Sequence, residues 1–190
     1  MKKYIQNHIN ESIKTKEEIF ASEEILNKIQ SVAEIIVDAY KNNKKVLIAG
    51  NGGSAADAQH IAAELVSKFL EDRSALNAVA LTTNTSVLTA VGNDYSHEYI
   101  FARQIQAYGQ EGDVYIAIST SGNSKNIIKS IEEARKKNIV VVGLTGKNIC
   151  AMDELCDIVI KVPSSKTPII QEAQIMIGHI VCAIVEKDLF

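Results

Sequence analysis

Cysteine is scarce in this chain: Cys150, Cys156 and Cys182 are the only three among 190 residues, and none falls in a Cys-x-x-Cys spacing. An odd count without paired spacing supports neither a disulfide framework nor a thiolate zinc site, so the thiols read as buried and reduced. Proline occurs only twice, at Pro163 and Pro168, and no repeat, low-complexity stretch or linker interrupts the chain. One unit over residues 1–190 is the economical reading. Positive charge is not in surplus either. Lys plus Arg number 20 against 23 Asp plus Glu, a formal net charge of −3, which removes extended polyanions such as nucleic acid from the partners. Long apolar runs are missing: Ile180-Val181-Cys182-Ala183-Ile184-Val185 falls far short of the roughly 18 to 20 residues needed to span a bilayer. Near the start, Asn7, His8, Asn10 and Glu11 interrupt the stretch that a secretion signal needs apolar. The expectation is a cytoplasmic protein with no membrane partner.

What is present is a chain 46% hydrophobic and 23% charged, the mix of a globular domain with a real core. Residues 1–43 carry two helical patterns. Ile5, Ile9, Ile13 and Phe20 form a narrow stripe, and Ile25, Ile29, Val32, Ile36 and Tyr40 a cleaner one after a candidate Ser22 cap. The narrow stripe suits packing on a neighbouring subunit as well as on its own domain. From Lys45 onward, β-branched runs alternate with helical stretches. The strand candidates are Val46–Ala49, Ala78–Leu81, Val114–Ser119, Ile139–Leu144 and Ile158–Val162, none followed by a hairpin turn. Several are apolar on both faces, which predicts an α/β fold: a three-layer, doubly wound sandwich with a five-stranded parallel sheet behind two N-terminal helices. A last helix, from about Pro168 to Lys187, starts at a proline suited to a first turn and should be buried, being apolar on nearly every side.

In an open parallel sheet, ligands bind beyond the carboxyl ends of the strands. Two loops occupy that position. Gly50-Asn51-Gly52-Gly53-Ser54 follows the first strand, with glycines that permit close backbone approach and Ser54 as a candidate helix cap. Ser119-Thr120-Ser121-Gly122-Asn123-Ser124 follows the third and sets four hydroxyls and a glycine before a helix. An ordinary turn with a cap uses one hydroxyl; a phosphate uses all of them, together with free amides and the positive helix end. Neither a Walker motif nor a dinucleotide fingerprint is present, which argues against ATP and NAD.

Two groups of ionisable residues lie on helices. His60 and Glu64, four apart, share a helix face and fit metal ligands, a base with its orienting partner, or a surface ion pair. Gln171, Glu172 and His179 lie on the final helix, where His179 could equally be a core residue bonded to a carbonyl. Gln171 and His179 are separated by about 12 Å of helical rise, so both reach one metal only by leaning together or from two subunits. Asn93 and Asp94, after Gly92, offer groups for sugar hydroxyls or simply end a helix.

With these motifs in order, the chain resembles the sugar isomerase (SIS) domain family and, within it, the phosphoheptose isomerases. The matching segments are Gly50–His60 with Ala63-Glu64, Gly92-Asn93-Asp94-Tyr95, Ile118–Ser124, Leu144-Thr145-Gly146, and Ile170-Gln171-Glu172 with His179. The resemblance spans essentially the whole chain. It implies that Ser119, Thr120, Ser121 and Ser124 bind the phosphate of a heptose, while Asn51, Gly52, Gly53, Ser54, Asn93, Asp94 and Gln171 contact the rest of the substrate. It implies one zinc per subunit on His60, Glu64, Gln171 and His179, with Glu64 and His179 as the acid–base pair. It further implies a homotetramer with shared active sites, and isomerisation of sedoheptulose 7-phosphate to D-glycero-D-manno-heptose 7-phosphate through an enediol. The product would serve nucleotide-activated heptose for lipopolysaccharide core or capsule. The chain departs from the family pattern at Ile169 and Lys68, where arginine is common, at Gln174 in place of histidine, and at Ser96-His97, where glycine is usual. The competing expectations are a non-catalytic SIS protein that binds a replication or regulatory partner, and an SIS isomerase for another phosphosugar.

Overall fold

The β-branched runs of this chain set five short strands, because stiff side chains pack well on a pleated surface covered on both sides. A computed structural model describes residues 1–190. Helices α1 (Lys2–Phe20) and α2 (Glu23–Lys41) precede β1 (Val46–Gly50), α3 (Gly53–Val66), β2 (Ala78–Ala80) and α4 (Thr85–Asp94). A single 3-10 turn at His97–Tyr99 leads to α5 (Ala102–Tyr108), β3 (Val114–Ile118), α6 (Lys125–Lys136), β4 (Val140–Gly146), α7 (Met152–Leu155), β5 (Ile158–Val162) and α8 (Thr167–Leu189). The strands pair in parallel in the order β2-β1-β3-β4-β5. The chain leaves β1 toward β2 on one side and returns to β3 on the other, so a crevice opens between the loops that follow β1 and β3.

Successive strand residues feed opposite faces. Val46 and Ile48 of β1, with Ile116 and Val142, join a core built from Ile36 of α2, Ile61 and Leu65 of α3, and Ile177 and Val181 of α8. Leu47, Tyr115 and Val141 point the other way and pack with Ile105, Ile127, Ile131 and Met152. The doubly wound, three-layer expectation holds, and every predicted strand is present.

Several local expectations need correction. Strand limits shift by a residue or two: β1 runs on to Gly50, β2 stops at Ala80, β3 stops at Ile118, and β4 extends from Val140 to Gly146. Ser22 does cap α2, accepting from the Ile25 amide at 3.3 Å. Ser54 caps nothing: α3 begins at Gly53 with Gly52 as its N-cap, which carries Ser54 into the first turn, where it is buried. Helix α8 is not buried all round, since Ile180 is 40% exposed. Joined into one 23-residue helix, its apolar residues also reach membrane-spanning length and hydropathy, which the short runs of the sequence concealed; half of that apolar window is buried against the rest of the protein. Cys150 and Cys182 are buried and Cys156 half-buried, all unpaired. Burial pushes the Cys156 and Cys182 thiols up to about 12.

Helices α3 and α8 run side by side in the same direction: Gly53 lies against Gln171, Ile61 against Gly178, and His60 against His179. Their far ends are tied by Glu186 of α8. Its carboxylate accepts from the amides of Phe69, Leu70 and Glu71 at 2.7–3.0 Å and from Arg73 Nε at 3.0 Å. Arg73 in turn donates to the Glu64 and Leu65 carbonyls, closing the C-terminus of α3. Burial by itself would raise the Glu186 pKa; the three amides and the guanidinium outweigh it and hold the carboxyl at about 2.

Candidate active site

The loop after β3 folds its hydroxyls into a cup. Ser119 Oγ lies 3.1 Å from Ser124 Oγ and 3.5 Å from Ser121 Oγ, and it accepts from the Gly122 amide at 3.2 Å. Gly122 has φ +65°, and a Cβ there would collide with the Cys150 thiol behind the loop, so only glycine makes this turn. Asn123 fixes the outer wall by accepting from the Ala151 amide at 2.9 Å. Thr120 lends its carbonyl to the Gly146 amide at 3.1 Å. The first amides of α6, on Lys125, Asn126 and Ile127, find no acceptor in the chain. Ser124 is the N-cap of α6 but does not bond back to the helix; its hydroxyl turns to Ser119 instead. Hydroxyls, open amides and a positive helix end therefore converge, as an anion requires.

Across the crevice, the loop after β1 presents Gly52 and Gly53, both exposed. Gly53 is needed for close approach, because a Cβ on it would lie 2.6 Å from the Gln171 amide nitrogen. Asn51 does not point freely into the crevice. It exchanges two hydrogen bonds with Asn126, donating at 2.9 Å and accepting at 2.8 Å.

Two turns down α3, three side chains meet. His60 Nε2 lies 3.0 Å from Glu64 Oε1 and 3.3 Å from His179 Nε2, and the three donor atoms all lie within 4.8 Å of one another. The His60 side chain is half exposed and that of Glu64 about a quarter, so solvent reaches the cluster. The Phe69 ring also lies against His179, ring centres 5.7 Å apart. His179 is thus no core histidine bonded to a carbonyl. The set also suits a tetrahedral cation: metal–nitrogen bonds of about 2.05 Å imply donor separations of roughly 3.3 Å. His60 stands at about that spacing from both Glu64 and His179, the three atoms lie within 4.8 Å of one another, and a solvent-facing side is left over.

Not all expected residues gather here. Gln171 sits at the level of Gly53, two helical turns from His179, so within one chain it borders the β1 loop rather than joining the trio. Asn93 donates to Asp94 at 2.9 Å in the last turn of α4, and neither side chain hydrogen-bonds to either loop. Two residues went unnoticed in the sequence. Asp57 precedes His60 by one turn on the same face, and its Oδ2 is buried without a partner. Burial raises its pKa, while His60 and His179 act in the opposite direction. The i, i+3 relation to His60 was the available signal. Asn126, 3% exposed, is the other, and no local pattern marks its partner 75 residues away.

The fold is shared with known proteins. Residues 7–146 match the model of the SIS domain family. The phosphoheptose isomerase of Aneurinibacillus thermoaerophilus is 57% identical over 190 residues, covering 100% of this chain and 96% of its own. Among solved structures, a phosphoheptose isomerase from Francisella tularensis superposes with a TM-score of 0.94 at 36% identity, with 97% of each chain covered. The phosphoheptose isomerase of Neisseria gonorrhoeae superposes at 0.92 and 38%, with 98% of each covered.

Proposed function

The chain belongs to the SIS domain family and, within it, to the phosphoheptose isomerases, and on that premise we propose that it interconverts sedoheptulose 7-phosphate and D-glycero-D-manno-heptose 7-phosphate. The observation that carries this reading is the convergence of His60, Glu64 and His179 in a chain that also builds a hydroxyl-and-amide cup.

The reaction moves one hydrogen between adjacent carbons and needs neither oxidant nor reductant. Ser119, Thr120, Ser121 and Ser124, with the α6 amides, hold the phosphate; Asn51, Gly52, Gly53, Ser54, Asn93, Asp94 and Gln171 are assigned to the rest of the sugar. The Glu64 carboxylate takes the C1 proton of the open-chain ketose, the C1–H electron pair forms the C1–C2 double bond, and the C2 oxygen takes up a proton to give the enediol. Return of a proton to C2, with loss of the C1 hydroxyl proton, gives the aldose. His179 moves protons at the two oxygens. His60, Glu64 and His179 would hold a divalent cation, zinc by family resemblance, with Gln171 as a fourth ligand only from another subunit or after rearrangement. Such an ion supplies Lewis-acid polarisation of sugar oxygens.

A single chain leaves its trio two helical turns from the loop edge, and we assign completion of the site to neighbouring subunits of a homotetramer. What supports this is the α1 stripe: Ile5, Ile9 and Ile13 are about half exposed and Phe20 is 80% exposed, a row that a partner would cover. Helix α1 also packs on the domain, through hydrogen bonds from Ser12 and Lys16 to Glu172 of α8. A phosphorylated substrate suits the cytoplasm, and a heptose phosphate product suits supply of activated heptose for surface polysaccharide. A non-catalytic binding module has no use for a convergent acid–base trio.

The test is incubation of the purified protein with sedoheptulose 7-phosphate, with and without chelator and added zinc, following the aldoheptose. Product that disappears with chelator and returns with zinc is expected. No product under any metal condition overturns the assignment.

A further inference from the structure

The β1–β3 ladder ends where Gly50 faces Ile118, and the two loops of the site diverge beyond it. Past that rung the hydrogen bonds joining them are the two between Asn51 and Asn126. A carboxamide pair of this kind satisfies one donor and one acceptor on each side and fixes distance and orientation together. Asn126 is buried, and while its side chain reaches Asn51, its own backbone amide is one of the three left open at the cup. The pair therefore bridges the crevice at the switch point, between the element that grips phosphate and the loop lying against Gln171.

We propose that Asn126, through Asn51, is a positioning residue for the isomerisation: it holds the phosphate cup and the Gly52–Gly53 loop at one separation, so that a sugar anchored by its phosphate presents its carbons in a single register. The proposal rests on the phosphoheptose isomerase reading above. It accounts for a polar pair where two apolar side chains would join the loops without setting their spacing. It also gives the site a means of telling sugars apart by length, because the distance from phosphate to reacting carbon differs between six- and seven-carbon ketose phosphates.

The test compares wild type, Asn126→Ala, Asn51→Ala and the double variant on sedoheptulose 7-phosphate and fructose 6-phosphate, with inorganic phosphate as competitive inhibitor. Wild-type turnover of the heptulose must be seen first; its absence would count against the functional reading and not against this one. Asn126→Ala is expected to lower kcat by about 10- to 100-fold, since misplacement by an ångström has that scale of effect. Inhibition by phosphate should stay within about threefold, and the preference for seven over six carbons should shrink by at least about fivefold. The double variant should be little worse than the more damaging single one, as for residues that act as a unit. Asn126→Ser, which keeps a small polar residue in the first helical turn, provides the same readouts if the alanine variant does not fold. Unchanged kcat and length preference would overturn the proposal, and so would a parallel loss of phosphate inhibition, which would reduce Asn126 to a support of the cup.

Discussion

In the proposed mechanism Glu64 carries two demands at once. As a ligand its lone pairs would face a cation, and as a base one of them must be available to a C–H bond; a carboxylate 3.0 Å from His60 and about a quarter exposed satisfies the first demand more readily than the second. Turnover then depends on Glu64 keeping one oxygen toward the sugar, which the solvent-facing side of the trio allows. Glu64→Gln and His179→Gln preserve shape and remove proton transfer, and each is expected to reduce kcat by at least about 10²-fold with little change in melting temperature. Steady-state kinetics on heptulose phosphate alongside thermal unfolding checks this, and a near-normal rate in either variant removes that residue from the mechanism. Most of these residues were legible in the sequence because their spacing is local: His60 and Glu64 share a helix face, and the hydroxyls of 119–124 are consecutive. Asp57 and Asn126 were not, since the roles they show come from a neighbour on another element. For Gln171, helical rise fixed the distance from His179, and only the course of α3 beside α8 shows that its neighbour is Gly53.

At the scale of elements, the site depends on two parallel helices held in register. Arg73 and Glu186 fasten their far ends, with side chains 2% and 4% exposed. Breaking such a buried pair from one side leaves a charge unmatched and typically costs about 3 to 5 kcal/mol. The three backbone amides that remain on Glu186 soften this, so Arg73→Ala is expected to lose about 2 to 4 kcal/mol in denaturant unfolding. The Glu186 carboxyl is depressed in the folded state to about 2, so its contribution is complete above the ordinary carboxylate range and is lost as pH falls toward 2. Glu186→Gln should accordingly be less stable than wild type at pH 7, with the difference narrowing steadily between about pH 4 and pH 2 in acid unfolding curves. A constant difference across that range would show that the carboxylate charge is not what the amides hold. Strand positions were readable because buried parallel strands are continuous apolar runs. Their ends were not, since ladder bonds rather than side chains decide them, and the start of α3 moved because the chain turns at Gly52 rather than at a serine cap.

At the scale of the molecule, a net charge of −3 coexists with the proposed site for an anionic sugar. The two are compatible because the cup uses hydroxyls and unpaired amides, which attract phosphate at short range without a basic surface. The exposed α1 stripe is the surface on which the proposed assembly into a homotetramer rests. In the proposed reaction this chain moves a proton between C1 and C2 of a phosphorylated heptose. Running the reaction in deuterium oxide and following the sugar by proton NMR tests it most directly. Solvent deuterium should enter C2 of the aldose and C1 of the recovered ketose at a rate set by enzyme concentration, and Glu64→Gln should abolish that entry. A heptulose phosphate that keeps all its carbon-bound protons and yields no aldose, with metal-loaded enzyme present, would rule out isomerisation by this chain.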